Sequence, residues 1–191
     1  MEYLIIALGS YLLGSIPFGF ILTKLFLRKD IRNIGSGNIG ATNALRTGNK
    51  SLGLATLVLD ISKAVLPVLY TKFYYQDYIL VASLCAFLGH VFPIWLKFKG
   101  GKGVATYVGI LFSINIIYGL IFIFSWLLIF VVTKYSSLSS ILASLMVPVY
   151  LIFFENYNLN FFIIMFVLIF YTHRENVKRL KNKEETKTKI F

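Results

Sequence analysis

Residues 104–132 read VATYVGILFSINIIYGLIFIFSWLLIFVV, and how this run is divided decides the fold. It holds no Asp, Glu, Lys or Arg across 29 residues. As one helix it would extend about 43 Å, well beyond the roughly 30 Å hydrocarbon core of a bilayer. Divided near Ser113-Ile114-Asn115 it becomes two helices, the first only about 12 residues and 18 Å long. The other apolar runs lie at 3–22, 52–70, 78–96, 138–154 and 157–172. The alternatives are therefore six spans or seven.

Charge chooses between them, because Lys and Arg favour the cytoplasmic side of a membrane. With seven spans and the N-terminus outside, the inner segments hold Lys24, Arg28, Lys29, Arg32, Arg46 and Lys50, then Lys97, Lys99 and Lys102, then Lys134. The tail adds Arg174, Lys178, Arg179, Lys181, Lys183, Lys187 and Lys189, which makes 17 of the 19 basic residues. Only Lys72 falls outside, and Lys63 lies within a span. Six spans would place the whole basic tail outside. The expectation is an all-α integral membrane protein of seven transmembrane helices with its C-terminus cytoplasmic. It forms a single polytopic domain over 1–191, with a basic tail from about 173.

Composition agrees. Of 191 residues, 58% are hydrophobic and 14% charged, against about 25% charged in a soluble domain, and mean hydropathy is +0.77. Cys85 is alone, so there is no disulfide framework. A net charge of +11 would suggest nucleic acid on a soluble chain. Here the cations sit between apolar runs, where orientation and anionic ligands account for them, and no nucleic-acid partner is expected. Met1-Glu2-Tyr3 lacks a positive n-region and the run behind it is too long for a signal peptide, so it reads as a retained span.

This topology gathers three polar segments on the inner side, at 32–46, 97–103 and 173–179, while the outward loops at 74–77 and 155–158 are short. Gly35-Ser36-Gly37-Asn38-Ile39-Gly40 matches G-x-G-x-x-G, and Asp60 follows Gly40 by 20 residues. A dinucleotide site needs a buried strand before the motif and a βαβ unit around it. Arg28-Lys29-Asp30 precedes it instead, and Asp60 lies in an apolar run, so that reading is set aside. The same residues suit an anion. Glycines expose N–H groups and permit close approach; Ser36, Asn38, Thr42 and Asn43 are neutral donors; Arg46 brings a planar fork. The competing reading is a glycine-rich turn at the membrane surface.

Gly100-Gly101-Lys102-Gly103 is not a P-loop, which would need Gly in place of Leu96 and Ser or Thr in place of Gly103. Glycines around a lysine at a helix start still suit an anion. Positive-inside bias explains Lys97 and Lys99 but not the glycines. Asp60, Lys63 and His90 lie in apolar runs, where an ionisable group is a functional hypothesis. Asp60 and Lys63 share a helix face, either as a structural brace or as part of a site. His90 is a packing residue or a base. His173 lies at the inner edge beside Arg174 and Asn176. Ser137 and Ser140 open the sixth span, as caps or facing an anion. Two histidines, one cysteine and no carboxylate cluster argue against a metal, and no cofactor is expected.

These segments resemble the bacterial acyl-phosphate:glycerol-3-phosphate acyltransferases, the PlsY family. The resemblance rests on Gly14-Ser15-Ile16-Pro17-Phe18-Gly19, the motif at 35–46, Leu59-Asp60-Ile61-Ser62-Lys63, Gly89-His90-Val91-Phe92-Pro93 with 97–106, and His173-Arg174-Glu175-Asn176. It covers nearly the whole chain. Ser62-Lys63-Ala64 departs from the Lys-Gly usual in the family, and the tail after Leu180 diverges. The resemblance implies a seven-helix enzyme of the bacterial inner membrane with its site at the cytoplasmic interface. It would move a fatty acyl group from acyl phosphate to the 1-hydroxyl of glycerol 3-phosphate, giving lysophosphatidic acid and inorganic phosphate in the first step of phospholipid biosynthesis. Its partners would be those two substrates, membrane lipids and the soluble enzyme that makes acyl phosphate. By motif, Ser36, Arg46, Lys102, His173 and Asn176 would be catalytic. Gly35, Gly37, Asn38, Thr42, Asn43, Gly100, Gly101, Gly103 and Ser137 would bind substrate phosphate. The base would be His173 or the substrate's own phosphate. The rival readings are a small anion transporter, disfavoured because the clusters lie at one interface without evident repeats, and a membrane scaffold, which leaves the glycine loops unexplained.

Overall fold

A computed structural model of the chain describes residues 1–155 and 157–188. Asn156 in the loop at 155–158 and Lys189 in the basic tail lie outside the described residues. Among those described there are ten α-helices and no strand, in two compact units, Met1–Ile114 and Asn115–Phe191.

The first unit contains α1 (Glu2–Gly14), α2 (Phe18–Leu27), α3 (Ala41–Leu45), α4 (Lys50–Tyr74), α5 (Ile79–Val91) and α6 (Val104–Ile114). All of the others pack on α4. Helices α1 and α5 cross closely. A Cβ on Gly14 would overlap the Ala86 carbonyl, and one on Gly89 would overlap the Tyr11 carbonyl; small residues at such crossings let membrane helices approach. The run 3–22, read as one span, is interrupted at Ser15-Ile16-Pro17, because Pro17 has no N–H to continue the ladder and caps α2 at φ −90°. The Lys63 ammonium donates to the Ile16 carbonyl at this break, at 2.7 Å.

The run 104–132 is divided where Asn115 stands. Helix α6 stops at Ile114, and α7 (Ile116–Thr133) starts under an Asn115 cap whose side-chain oxygen accepts the Ile117 N–H at 2.9 Å. The last carbonyls of α6, Ser113 and Ile114, accept hydrogen bonds from Lys72 Nζ at 2.8 and 3.0 Å. A cation at a helix C-terminus satisfies orphan carbonyls and the helix dipole together.

In the second unit α7 is followed by α8 (Ser136–Phe154), α9 (Leu159–Thr172) and α10 (Arg174–Lys181). Helix α8 packs on α7 and α9, and α10 meets both α8 and α9. Trp126 Nε1 donates to Ser140 Oγ at 3.0 Å and Ser140 donates to the Ser136 carbonyl at 2.8 Å, so Ser140 serves packing.

Five stretches among the described residues are long and apolar enough to cross a membrane: Glu2–Leu27, Lys50–Tyr74, Gln76–Leu96, Ile116–Thr133 and Ser136–Phe154. The apolar helices α6 and α9 are shorter, at 11 and 14 residues. Large apolar side chains stand outward, among them Phe73, Val132 and Phe153, each at least 74% exposed. Lipid, not water, is the solvent for such faces.

Candidate active site

The segment after α2 turns on Asp30, which accepts the Arg32 main-chain N–H at 2.9 Å and holds the Arg32 guanidinium at 2.6 Å. That bond holds the Asp30 carboxyl down at about 2. Asn43 organises the loop that follows. Its amide nitrogen donates to the carbonyls of Ile31, Ile34 and Asn38 at 2.8–3.1 Å, and its oxygen accepts the Ser36 N–H at 2.9 Å. Asn43 is 2% exposed. Both amide hydrogens are held by main-chain carbonyls, so Asn43 shapes the loop that carries Ser36 and Arg46. Asn38 closes a second turn by accepting the Gly40 N–H at 2.9 Å.

Gly35 and Gly37 adopt φ of 53° and 71°, a region costly for any residue with a Cβ. The Arg46 stem lies directly against Gly35. Arg46 itself is exposed, and it lines an open cleft with Phe26, Leu27, Lys29, Ile34 and Thr47. Ser36 and Thr42 are exposed on the same segment. The structure thus brings Gly35, Ser36, Asn43 and Arg46 together.

The glycine–lysine stretch precedes a helix, α6, and its glycines pack closely on the end of α5. The N–H groups of Gly100 and Gly101 donate to the carbonyls of Val91 and His90 at 3.0 and 3.1 Å, and that of Gly37 donates to Ile34 at 2.9 Å. A Cβ on Gly101 would overlap the His90 ring, and one on Gly103 the Phe87 ring. The glycines let the stretch lie flat on the end of α5, with Lys102 half-buried within it. His90 is in turn 3.7 Å from Asp60, which pairs with Lys63 at 2.9 Å, all three side chains being almost wholly buried. The Asp60–Lys63 pair has the geometry of a brace, with the His90 ring packed beside it. Lys63 ties α4 to the α1–α2 break, and the His90 carbonyl accepts the Gly101 N–H.

In the second unit His173 stands between α9 and α10. Its Nδ1 lies 2.8 Å from the Ile169 carbonyl; a carbonyl only accepts, so Nδ1 carries the hydrogen and Nε2 is the basic nitrogen of the neutral ring. Ser137, at the start of α8, donates its single hydroxyl hydrogen to Glu185 Oε1 at 2.7 Å, and Asn176 Nδ2 donates to the same oxygen at 2.6 Å. Arg179 Nε donates to Glu185 Oε2 at 2.7 Å. Burial pushes the Glu185 carboxyl up, but these three donors outweigh it and hold it below its ordinary value. Sequence reading passed over Glu185. Its one signal was an acid within a strongly basic tail, six residues beyond Arg179.

The glycerol-3-phosphate acyltransferase family model matches residues 4–183. The glycerol-3-phosphate acyltransferase of Pelagibacter ubique is 83% identical over the full length of both chains. That of Brucella canis is 50% identical over 93% of this chain and 89% of its own. A crystal structure of PlsY (YgiH), an integral membrane glycerol 3-phosphate acyltransferase in its glycerol 3-phosphate form, superposes with a TM-score of 0.90. It is 37% identical and covers 98% of this chain and 96% of that one; the lysophosphatidic acid form superposes at 0.88. The transporter and scaffold readings fall away. The chain belongs to the glycerol-3-phosphate acyltransferase family and is an integral membrane acyltransferase.

Proposed function

We propose that the chain transfers a fatty acyl group from acyl phosphate to the 1-hydroxyl of glycerol 3-phosphate, giving lysophosphatidic acid and inorganic phosphate. The observation that carries this reading is the likeness, over nearly the whole chain, to a PlsY solved with glycerol 3-phosphate and with lysophosphatidic acid. The donor follows from what the sequence lacks. Thioester-using glycerolipid acyltransferases commonly carry His-x-x-x-x-Asp. Five residues after His90 stands Trp95, and five after His173 stands Lys178.

In the reaction a new C–O bond forms between the 1-hydroxyl oxygen and the acyl carbon, and the bond from that carbon to the phosphate oxygen breaks. Phosphate leaves as an anion and needs no proton donor, only neutralisation. Arg46 and Lys102 are the cations assigned to the two phosphates, on loops that Asn43 and His90 hold in place. Two groups can take the hydroxyl proton: the basic Nε2 of His173, and the substrate's own phosphate. A mixed anhydride is reactive enough for positioning to supply much of the rate. His173→Gln separates them, since a base lost with His173 removes the acidic limb of the rate profile. Transfer is direct. Ser36 and Ser137 are the hydroxyls at hand; a serine nucleophile is activated by an adjacent base such as histidine, and Ser137 donates to the weakly basic Glu185 carboxylate, at 2.7 Å. A mass gain of one acyl chain on protein incubated with acyl phosphate alone would contradict this.

The site faces the cytoplasm of a bacterial inner membrane, with seven spans and the N-terminus outside, and a soluble enzyme supplies the acyl phosphate. The deciding test gives purified protein glycerol 3-phosphate with palmitoyl phosphate, palmitoyl-coenzyme A or palmitoyl-carrier protein at equal concentration. Lysophosphatidic acid should form from the phosphate. Comparable rates from either thioester overturn the donor assignment.

A further inference from the structure

One carboxylate of the tail gathers donors from two helices. Glu185 accepts from Ser137 at the head of α8 and from Asn176 and Arg179 on α10. Its side chain is 9% exposed. The stretch of tail that bears it is fixed on both sides. The Glu184 N–H donates to the Arg179 carbonyl at 2.8 Å, and the Thr188 N–H donates to the Lys134 carbonyl at 2.9 Å. The Lys187 ammonium lies over the Tyr135 ring at 6.0 Å. An anchor needs only main-chain bonds of that kind. Glu185 bonds instead to side chains, two of which belong to the proposed site.

We propose that Glu185 is a positioning residue of the acyl transfer, fixing the Asn176 amide and the Ser137 hydroxyl in one geometry and neutralising Arg179 beside them. An ionised carboxylate is acceptor-only, so each donor is held with a defined hydrogen direction. The bond at the Asn176 amide nitrogen, 2.6 Å long, restrains the plane of that side chain against Glu185. The inference rests on Asn176 and Ser137 acting in the reaction.

The test uses the full chain in detergent, assayed with glycerol 3-phosphate and whichever acyl donor supports the wild type. Glu185→Ala should lower kcat about 10- to 100-fold, the cost of a displaced site group, with KM for glycerol 3-phosphate changed less than about threefold. Asn176→Ala should lower kcat comparably. The double variant should be no slower than the slower single variant, because Glu185 acts through Asn176. If Glu185→Ala does not accumulate as folded protein, Glu185→Gln decides by the same pattern with a smaller loss, since it keeps an acceptor but not the charge. A rise in activity in either Glu185 variant would make the tail an anionic plug and overturn the proposal. Unchanged kcat, or fully multiplicative losses in the double variant, would overturn it as well. If Asn176→Ala keeps the wild-type rate, the site assignment itself fails, and the inference with it. If Asn176→Ala is slow and Glu185→Ala is not, only the inference fails.

Discussion

Asn43 and Arg46 lie three residues apart and predict opposite phenotypes. Asn43→Ala leaves three carbonyls and the Ser36 N–H without their partner. The loss should be about 2 kcal/mol or more, read as a lowered Tm in detergent, with activity falling as the loop loosens. Arg46→Ala removes an exposed side chain and should leave Tm nearly unchanged. Together with Lys102→Ala it should lower kcat/KM about 10- to 150-fold per variant, the worth of a charge-assisted contact to phosphate. Normal kinetics in both would reduce these residues to setting membrane orientation. The sequence placed Asn38, Thr42 and Asn43 in one class, as neutral donors near glycines. Only burial separates the scaffold from the exposed residue, and burial depends on Ile31 and Ile34, whose carbonyls are brought round by the turn at Asp30. Gly101 is a similar case. Its composition suggested a bare N–H for an anion, whereas its neighbour is the His90 ring, contributed from another helix.

Helix boundaries were readable where a polar side chain marks them and hidden where backbone chemistry alone does. Asn115 interrupts an otherwise apolar run and caps α7, so the division of 104–132 was open to sequence reasoning. The break at Pro17 lies within a run that stays apolar on both sides, and hydropathy passes over it. Lys72 was noted as the cation on the wrong side for membrane orientation. Its bonds to Ser113 and Ile114 give the reason, because it closes the C-terminus of α6. Lys72→Met should therefore cost about 0.3–1 kcal/mol of stability, seen as a lower Tm, with turnover per folded molecule kept. A loss of turnover at unchanged Tm would contradict the capping role.

For the molecule as a whole, composition alone was enough to give an all-helical membrane protein. The tail carrying Glu185 was not readable, because its role depends on donors from distant positions. Orientation is a prediction of the charge distribution. In a Cys85→Ala background, Lys183→Cys should resist a membrane-impermeant maleimide added to intact cells, and Asp77→Cys should react; the reverse pattern inverts the topology. The two short helices have a consequence of their own. At 11 and 14 residues, α6 and α9 reach about 16 and 21 Å, while a hydrocarbon core is near 30 Å. In the seven-span arrangement proposed above, α9 is the short helix that meets lipid, with Ile163, Ile164, Val167 and Phe170 outward, and a mismatch of this size draws the surrounding lipid thinner or favours thin membranes. Reconstituted into vesicles of graded acyl length, the enzyme should work best in the thinner bilayers and slow as chains lengthen. Acyl transfer would then respond to membrane thickness itself.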